Sequence, residues 1–205
     1  MAFTRSGVFT FGPEQNSLLL LFQRETRHSS DGGAPLIETP QQYTERVLGY
    51  QRGKQPLKIL ASTPARISKL LRRVPRKRLS TRPAPDRWSV TEILSHLADA
   101  EIATGFRLRM ILGSSGVTVQ GYDQDAWAEV SEYRTGDPML AFAAFQALRQ
   151  WNVALLRKIP KQMWDNYGMH TERGKETVSR MSEMMAGHDI NHLRQIEGIL
   201  GPRDR

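Results

Sequence analysis

The sequence predicts an all-α protein with four main helical regions, and two kinds of observation lead to this expectation. Apolar residues recur at helical spacing, most clearly over residues 140–155 and 181–199, and such a period is typical of helices with one buried face. Capping residues, such as Ser89 and Asp137, precede these regions, as they do at helix starts. With 205 residues, the chain is long enough for one domain with a full core.

The first 35 residues are expected to form an extension. They contain no sustained apolar period, so we expect residues 1–35 to be flexible and residues 36–205 to form the folded domain. The apolar run at residues 18–22 is too short for a signal peptide or a membrane span. We therefore expect a cytoplasmic protein that does not enter a membrane.

The first helical region is predicted to be broken in two. A Thr-Pro pair at residues 39–40 suits a helix start, and Gly53 and Pro56 then interrupt the apolar pattern. A second piece follows at residues 65–73. Three prolines within residues 75–85 predict an open loop after it.

The basic residues are concentrated in one segment. Residues 66–87 contain nine basic residues against one acidic residue, Asp86, and so account for the whole formal net charge of +8. Such a segment can bind phosphate groups, or it can be the solvated end of a helix and its loop. Because it lacks the interleaved aromatic residues of single-strand binders, we favour the solvated interpretation and do not expect nucleic acid as a partner.

The second helix has the clearest start in the chain. Ser89 can cap it, and Glu92 occupies the reciprocal position of a capping box. The helix should run to about Leu112, where Gly113 can adopt the left-handed conformation that ends a helix.

The third and fourth helices follow the same logic. Asp137 can cap the third helix, with Pro138 in its first turn, and the helix should end before Pro160. After a connection at residues 161–174, the last helix should run to about Leu200.

Three histidines are placed for one metal ion. His188 and His192 are four residues apart on the last helix, so their side chains project from the same face, beside the apolar stripe. A buried imidazole without a partner is costly. His96 of the second helix would complete a three-histidine site with positions open to water or substrate, as in catalytic metal sites. Two histidines at this spacing also occur by chance, so the spacing alone leaves both interpretations open.

The surroundings of these histidines resemble a known family. Residues 86–101 read DRWSVTEILSHLADAE, and residues 188–196 read HDINHLRQI. This combination is similar to the DinB/YfiT-like superfamily of metalloenzymes, and the resemblance spans about residues 38–200. It implies a four-helix bundle in which the three histidines bind one divalent metal ion.

The resemblance also implies a choice of activities. A divalent ion on three neutral imidazoles can lower the pKa of bound water toward about 7, and its charge can stabilise a thiolate. The resemblance implies thiol S-transferases, which conjugate a low-molecular-weight thiol such as bacillithiol or mycothiol to an electrophile, or metal-dependent hydrolases. We expect a thiol S-transferase-like enzyme acting on a small molecule, with the hydrolase as the alternative and zinc or nickel as the ion. The thiol must be borrowed, because the chain contains no cysteine.

A non-enzymatic alternative also fits the sequence. The protein could be a stress-response or binding module in which the metal is structural. The family name derives from induction by DNA damage, which concerns expression and does not establish nucleic-acid binding. From the resemblance we also expect a homodimer.

Four further residues are candidates near the proposed metal. Tyr122 and Asp123 lie in a long linker, which we expect to cover the site, and a Gly-Tyr-Asp sequence followed by a Trp is common in this loop within the resemblance. His170 could approach the metal from the next connection. Asp99 lies one turn beyond His96 and could orient its ring.

Removal of residues 1–35 should leave the folded domain intact, because these residues contribute no periodic apolar face. Thermal melts of the full chain and of a chain that begins at Leu36 should show the same cooperative transition. A lost transition in the shorter chain would show that the extension belongs to the core.

Overall fold

The computed structural model describes residues 39–201, so the predicted extension at residues 1–35 lies outside the described residues. In the described part of the chain, no helix combines the length and the low polarity needed to cross a membrane. The secondary-structure elements are, in chain order, α1 (Pro40–Gln51), α2 (Pro56–Leu71), α3 (Arg76–Ser80), α4 (Val90–Gly113), β1 (Thr118–Val119), α5 (Gln124–Val130), α6 (Pro138–Lys158), a 3₁₀ helix (Lys161–Asp165), β2 (Tyr167–His170), β3 (Gly174–Thr177) and α7 (Val178–Leu200).

Helices α2, α4, α6 and α7 form a four-helix bundle made of two parallel pairs. The first halves of α4 and α6 contribute to one core cluster and their second halves to the other, so these helices run in the same direction; α2 and α7 form the second pair and run the opposite way. The clusters include, at one end, Ile67, Leu94, Leu97, Phe142, Phe145, Leu193 and Ile196, and, at the other, Leu60, Leu108, Ile111, Val153, Leu156, Met181 and Met185.

The helix ends that local sequence signals predicted are largely confirmed. At the start of α4, Ser89 Oγ accepts the Glu92 N–H at 3.3 Å, and Glu92 Oε2 accepts the Ser89 N–H at 2.8 Å. Asp137 caps α6 by accepting two N–H groups of its first turn. Helix α7 ends at Leu200, before Gly201 with its positive φ of 69°. These ends depend on neighbouring residues only, which is why the sequence predicts them.

The end of α4 differs from the prediction. Gly113 is helical rather than left-handed, and the helix ends at Ser114, whose backbone is extended (φ −154°, ψ 102°). The Ser114 N–H still bonds to the Met110 carbonyl oxygen at 2.9 Å. The chain therefore leaves α4 directly toward β1 and needs no left-handed residue.

A small sheet, which the sequence pattern did not predict, covers one end of the bundle. Strand β1 pairs in parallel with β2, with Val119 opposite His170, and β2 pairs antiparallel with β3. A Cβ on Gly168 would lie 3.0 Å from the Ile111 side chain, so β2 packs tightly on α4. Strands of two to four residues are too short to show an alternating period.

The basic segment, residues 66–87, is exposed along most of its length, and part of its charge is paired. Among the basic residues of this segment, only Arg82 is half-buried, and its guanidinium binds the buried Glu92 carboxylate at the start of α4. Arg76 pairs with Asp137 at 2.7 Å, at the start of α6. The segment therefore ties α2 and α3 to the ends of two bundle helices.

A contact between α1 and α7 yields a test of the packing. A Cβ on Gly187 would lie 2.1 Å from the Val47 carbonyl oxygen. Gly187→Ala should therefore push α1 away and lower the free energy of unfolding by roughly 1–3 kcal/mol. Gly198→Ala is the matched control on the same helix, because no atom lies within 4 Å of that position, and it should be neutral or stabilising. Urea titrations measure both, and equal effects of the two changes would contradict the packing argument.

Candidate metal centre

The imidazoles of His96, His188 and His192 meet between α4 and α7. His188 Nε2 lies 2.9 Å from His96 Nε2 and 3.0 Å from His192 Nε2. All three nitrogens lie within 4.8 Å of one another. The helical spacing on α7 and the antiparallel packing of α4 thus bring together the three histidines that the sequence singled out.

Hydrogen bonds alone do not explain this arrangement. A neutral imidazole has one N–H donor and one acceptor nitrogen. In the ring plane His188 Nε2 offers either one proton or one lone pair, so it can satisfy only one of its two short contacts with good geometry. A cation between the nitrogens removes this conflict, since metal–nitrogen bonds of about 2.0–2.1 Å allow ligand nitrogens at these separations to share one ion. The donor set therefore fits a divalent metal.

Burial keeps two of these rings, those of His96 and His188, neutral. Burial lowers the pKa of His96 well below its usual value, and the charge of His192 acts in the same direction. Burial also lowers the pKa of His188, together with His192, His96 and Arg149. Neutral rings offer lone pairs to an ion. His188 is partly buried, whereas the other two are buried, so the centre is least covered at His188.

The contacts around the ligand rings differ from the prediction at one point. His192 Nδ1 lies 2.7 Å from Gln195 Oε1, and a proton on Nδ1 leaves the Nε2 lone pair facing the centre. His96 Nδ1 is buried without a hydrogen-bond partner. The expected hydrogen bond from His96 to Asp99 is absent, and Asp99 Oδ2 accepts the Tyr133 hydroxyl at 2.5 Å. Burial, and then this bond, raises the pKa of Tyr133.

A buried ion cluster lies behind the centre. Arg149 of α6 is 2% exposed, and its Nη2 lies 2.8 Å from both Glu101 Oε1 of α4 and Asp189 Oδ1 of α7. Burial alone would lower the pKa of Arg149, but the Asp189 and Glu101 carboxylates outweigh burial and raise it. Asn152 donates to Glu101 Oε2 at 3.0 Å. The cluster joins the helices that carry the three histidines.

Sequence reasoning did not identify this cluster. The positions of Glu101 and Asp189 in the sequence do not indicate that both pair with Arg149. One signal was present, because Arg149 lies in helical phase with the core residue Phe145. A charged residue in an apolar face indicates a buried partner but does not identify it.

The other predicted candidates lie along the linker and the sheet. Asp123 Oδ1 caps α5 by accepting its first N–H groups at 2.9 and 3.0 Å. Tyr122 packs on Trp127 with ring centroids 4.5 Å apart, and burial raises the pKa of Tyr122 to about 12. His170 is buried in β2 beneath the sheet, opposite Val119. The structure therefore gives Asp123 a capping role and places Tyr122 and His170 at the covered end of the bundle.

Curated relatives of the chain carry the names of metal enzymes. A Bacillus subtilis (strain 168) protein named "Putative metal-dependent hydrolase YfiT" is 24% identical over 150 residues, which cover 71% of this chain and 84% of the relative. A relative from Oceanobacillus iheyensis has the same kind of name and is 25% identical over 118 residues, which cover 57% of this chain and 67% of the relative.

Comparison with solved structures and families agrees with the observed bundle. The structure of YfiT from Bacillus subtilis, described as having an unusual four-helix bundle topology, superposes with a TM-score of 0.66 at 20% identity and covers 87% of this chain and 95% of YfiT. At this identity the likeness establishes the fold. The family described as the DinB superfamily matches residues 59–196. Since this match spans more than half of the chain and includes all three histidines, the chain belongs to the DinB superfamily.

Proposed function

We propose that this protein is a metal-dependent hydrolase of a small-molecule substrate, with one divalent ion held by His96, His188 and His192. The convergence of three imidazole nitrogens carries this proposal. The described residues bring three possible ligands to the cluster, which leaves positions on the ion for water and substrate. The names of both relatives support the same class of reaction.

The proposed mechanism assigns a task to each neighbouring group. The ion, when bound, would polarise a substrate oxygen or lower the pKa of a bound water toward about 7. Asp99 lies one turn beyond His96 on α4, where its Oδ2 accepts the Tyr133 hydroxyl. Its Oδ1 is then available to accept a proton from the attacking water, so we assign Asp99 the role of general base and Tyr133 that of holding its carboxylate.

The comparisons favour hydrolysis over the thiol S-transferase activity that the sequence first suggested. The relatives are hydrolases by name, whereas a conjugating enzyme would also have to bind a thiol cofactor. The same centre would stabilise a thiolate, so a screen must include both reactions. Three imidazoles suit zinc and nickel alike, and these are the ions that we propose.

Metal content tests the ligand set. Replacement of His96, His188 or His192 by Ala leaves two imidazoles, so each variant should lose most of its metal during dialysis against a mild chelator. His170→Ala is the matched control, because His170 is as buried as His96 but lies in the sheet, and it should retain the metal of the wild type. Elemental analysis of untagged protein gives metal per chain. Equal retention by wild type and His192→Ala would contradict the site.

Turnover tests the reaction class. A panel of aryl esters, amides and lactones should include a substrate whose hydrolysis stops after chelation and returns with added zinc or nickel. Asp99→Asn should lower kcat by about 10²-fold or more, as expected for loss of a general base, while metal content stays unchanged. Tyr133→Phe should have a smaller effect. Thiol conjugation without hydrolysis would instead support the thiol S-transferase assignment. If the protein showed neither activity, the metal would be assigned a structural role.

A further inference from the structure

The region under the small sheet contains a buried cation that has no carboxylate partner. Arg107 of α4 is 8% exposed, and its Nε and Nη2 donate to the Gln120 carbonyl oxygen at 3.0 and 2.6 Å. No carboxylate in residues 39–201 forms an ion pair with it. Burial lowers the pKa of Arg107, and the nearby charge of Arg173 lowers it further. A buried guanidinium in this state favours an anionic ligand.

The neighbouring acidic groups do not neutralise this charge. The buried Glu176 lies close by, but both of its oxygens bind Arg173, at 2.8 Å each. Glu172 is exposed on the turn between β2 and β3, where water screens its charge. Because Glu176 is occupied by Arg173, the buried Arg107 guanidinium is left without an ion pair among the described residues.

His170, next to Arg107, supplies a buried donor without an acceptor. Its Nδ1 accepts the Glu172 N–H at 3.2 Å. In a neutral imidazole the proton must then be on Nε2, which is buried without a hydrogen-bond partner. Burial lowers the pKa of His170 to about 4, and Arg173 and Arg107 act in the same direction, so the ring is neutral. An N–H without an acceptor beside an unpaired guanidinium indicates a site for an oxyanion.

This site lies on the same face of α4 as the metal centre. Arg107 is eleven residues, or three turns, beyond His96, which corresponds to about 16 Å along the helix axis. Each Cα–Cβ bond of an α-helix tilts toward the start of the helix, so a side chain as long as that of Arg107 can shorten this distance. Tyr122 lies next to this site, with the Arg107 guanidinium carbon 5.6 Å from its ring centroid, and its hydroxyl also experiences the charge of Asp99.

We infer that Arg107 and His170 bind an oxyanion group of the substrate, a carboxylate or a phosphate, while the bond to be cleaved lies at the three histidines. This inference rests on the proposed function, and it narrows the substrates to acidic small molecules with the anionic group about 10–15 Å from the reacting atom, a span set by the helical rise. Tyr122 lines the path between the two ends. The sheet thus acts as the recognition element of the bundle.

Anion binding without turnover tests this inference. Inorganic phosphate and succinate, titrated by calorimetry at constant ionic strength into as-purified and metal-free full-length protein, distinguish the two kinds of anion. Arg107→Gln should raise the Kd of the tighter-binding anion by about tenfold or more. His170→Phe, which keeps a ring in place, should raise the same Kd several-fold. Arg157→Gln removes an exposed arginine of α6 and should change nothing.

The outcomes separate this inference from the hydrolase proposal. Equal binding by wild type and Arg107→Gln, no binding of either anion, or binding that disappears only when the metal is removed would each overturn it. Because Arg107→Gln could weaken the fold, unchanged binding by His170→Phe alone would also count against it. Once an ester that the protein hydrolyses has been found, Arg107→Gln should raise KM for the ester that carries a distal carboxylate. KM for its neutral analogue should stay unchanged. If the protein bound the anion through Arg107 but hydrolysed no substrate, the anion site would be supported and the hydrolase proposal would be wrong.

Discussion

The geometry of the centre depends on the buried contact of Arg149 with Glu101 and Asp189. These residues belong to α6, α4 and α7, and Asp189 directly follows His188. Loss of one partner of a buried pair typically costs about 3–5 kcal/mol, because the remaining charge is left unpaired. The contact that fixes α7 against α4 therefore also fixes the separation of His188 from His96.

Charge is divided along α4 in a way that suits two different ligands. Glu101 and Asp189 against Arg149 leave one negative charge in excess beside the histidines, which favours a divalent cation there. Three turns beyond His96, the buried Arg107 guanidinium lies under the sheet without an ion pair in the described part of the chain. If the two proposed sites hold, one helix presents a cation site and an anion site, and a small molecule with both a polar reactive group and an acidic group would match them.

Local signals predicted the helices, and long-range contacts determined what the sequence could not predict. The caps at Ser89 and Asp137 involve residues within three positions, and the helical period places His188 with His192. Pairing of Val119 with His170 joins distant parts of the chain, so two-residue β1 has no local signature. Spacing on α4 suggested that Asp99 supports a histidine. An argument from one helix does not reveal that Tyr133, from the linker, donates a hydrogen bond to the Asp99 carboxylate.

The positions of the histidines in the chain have a consequence for stability. His96 and His188 are 92 residues apart, and the chain contains no cysteine, so an ion bound to both would act as a reversible cross-link where other proteins use a disulfide. A ligand that binds only the folded state adds about 2.7 kcal/mol at a free concentration of 100 times its Kd. Resistance of the protein to heat and to proteases would therefore rise and fall with the supply of that ion.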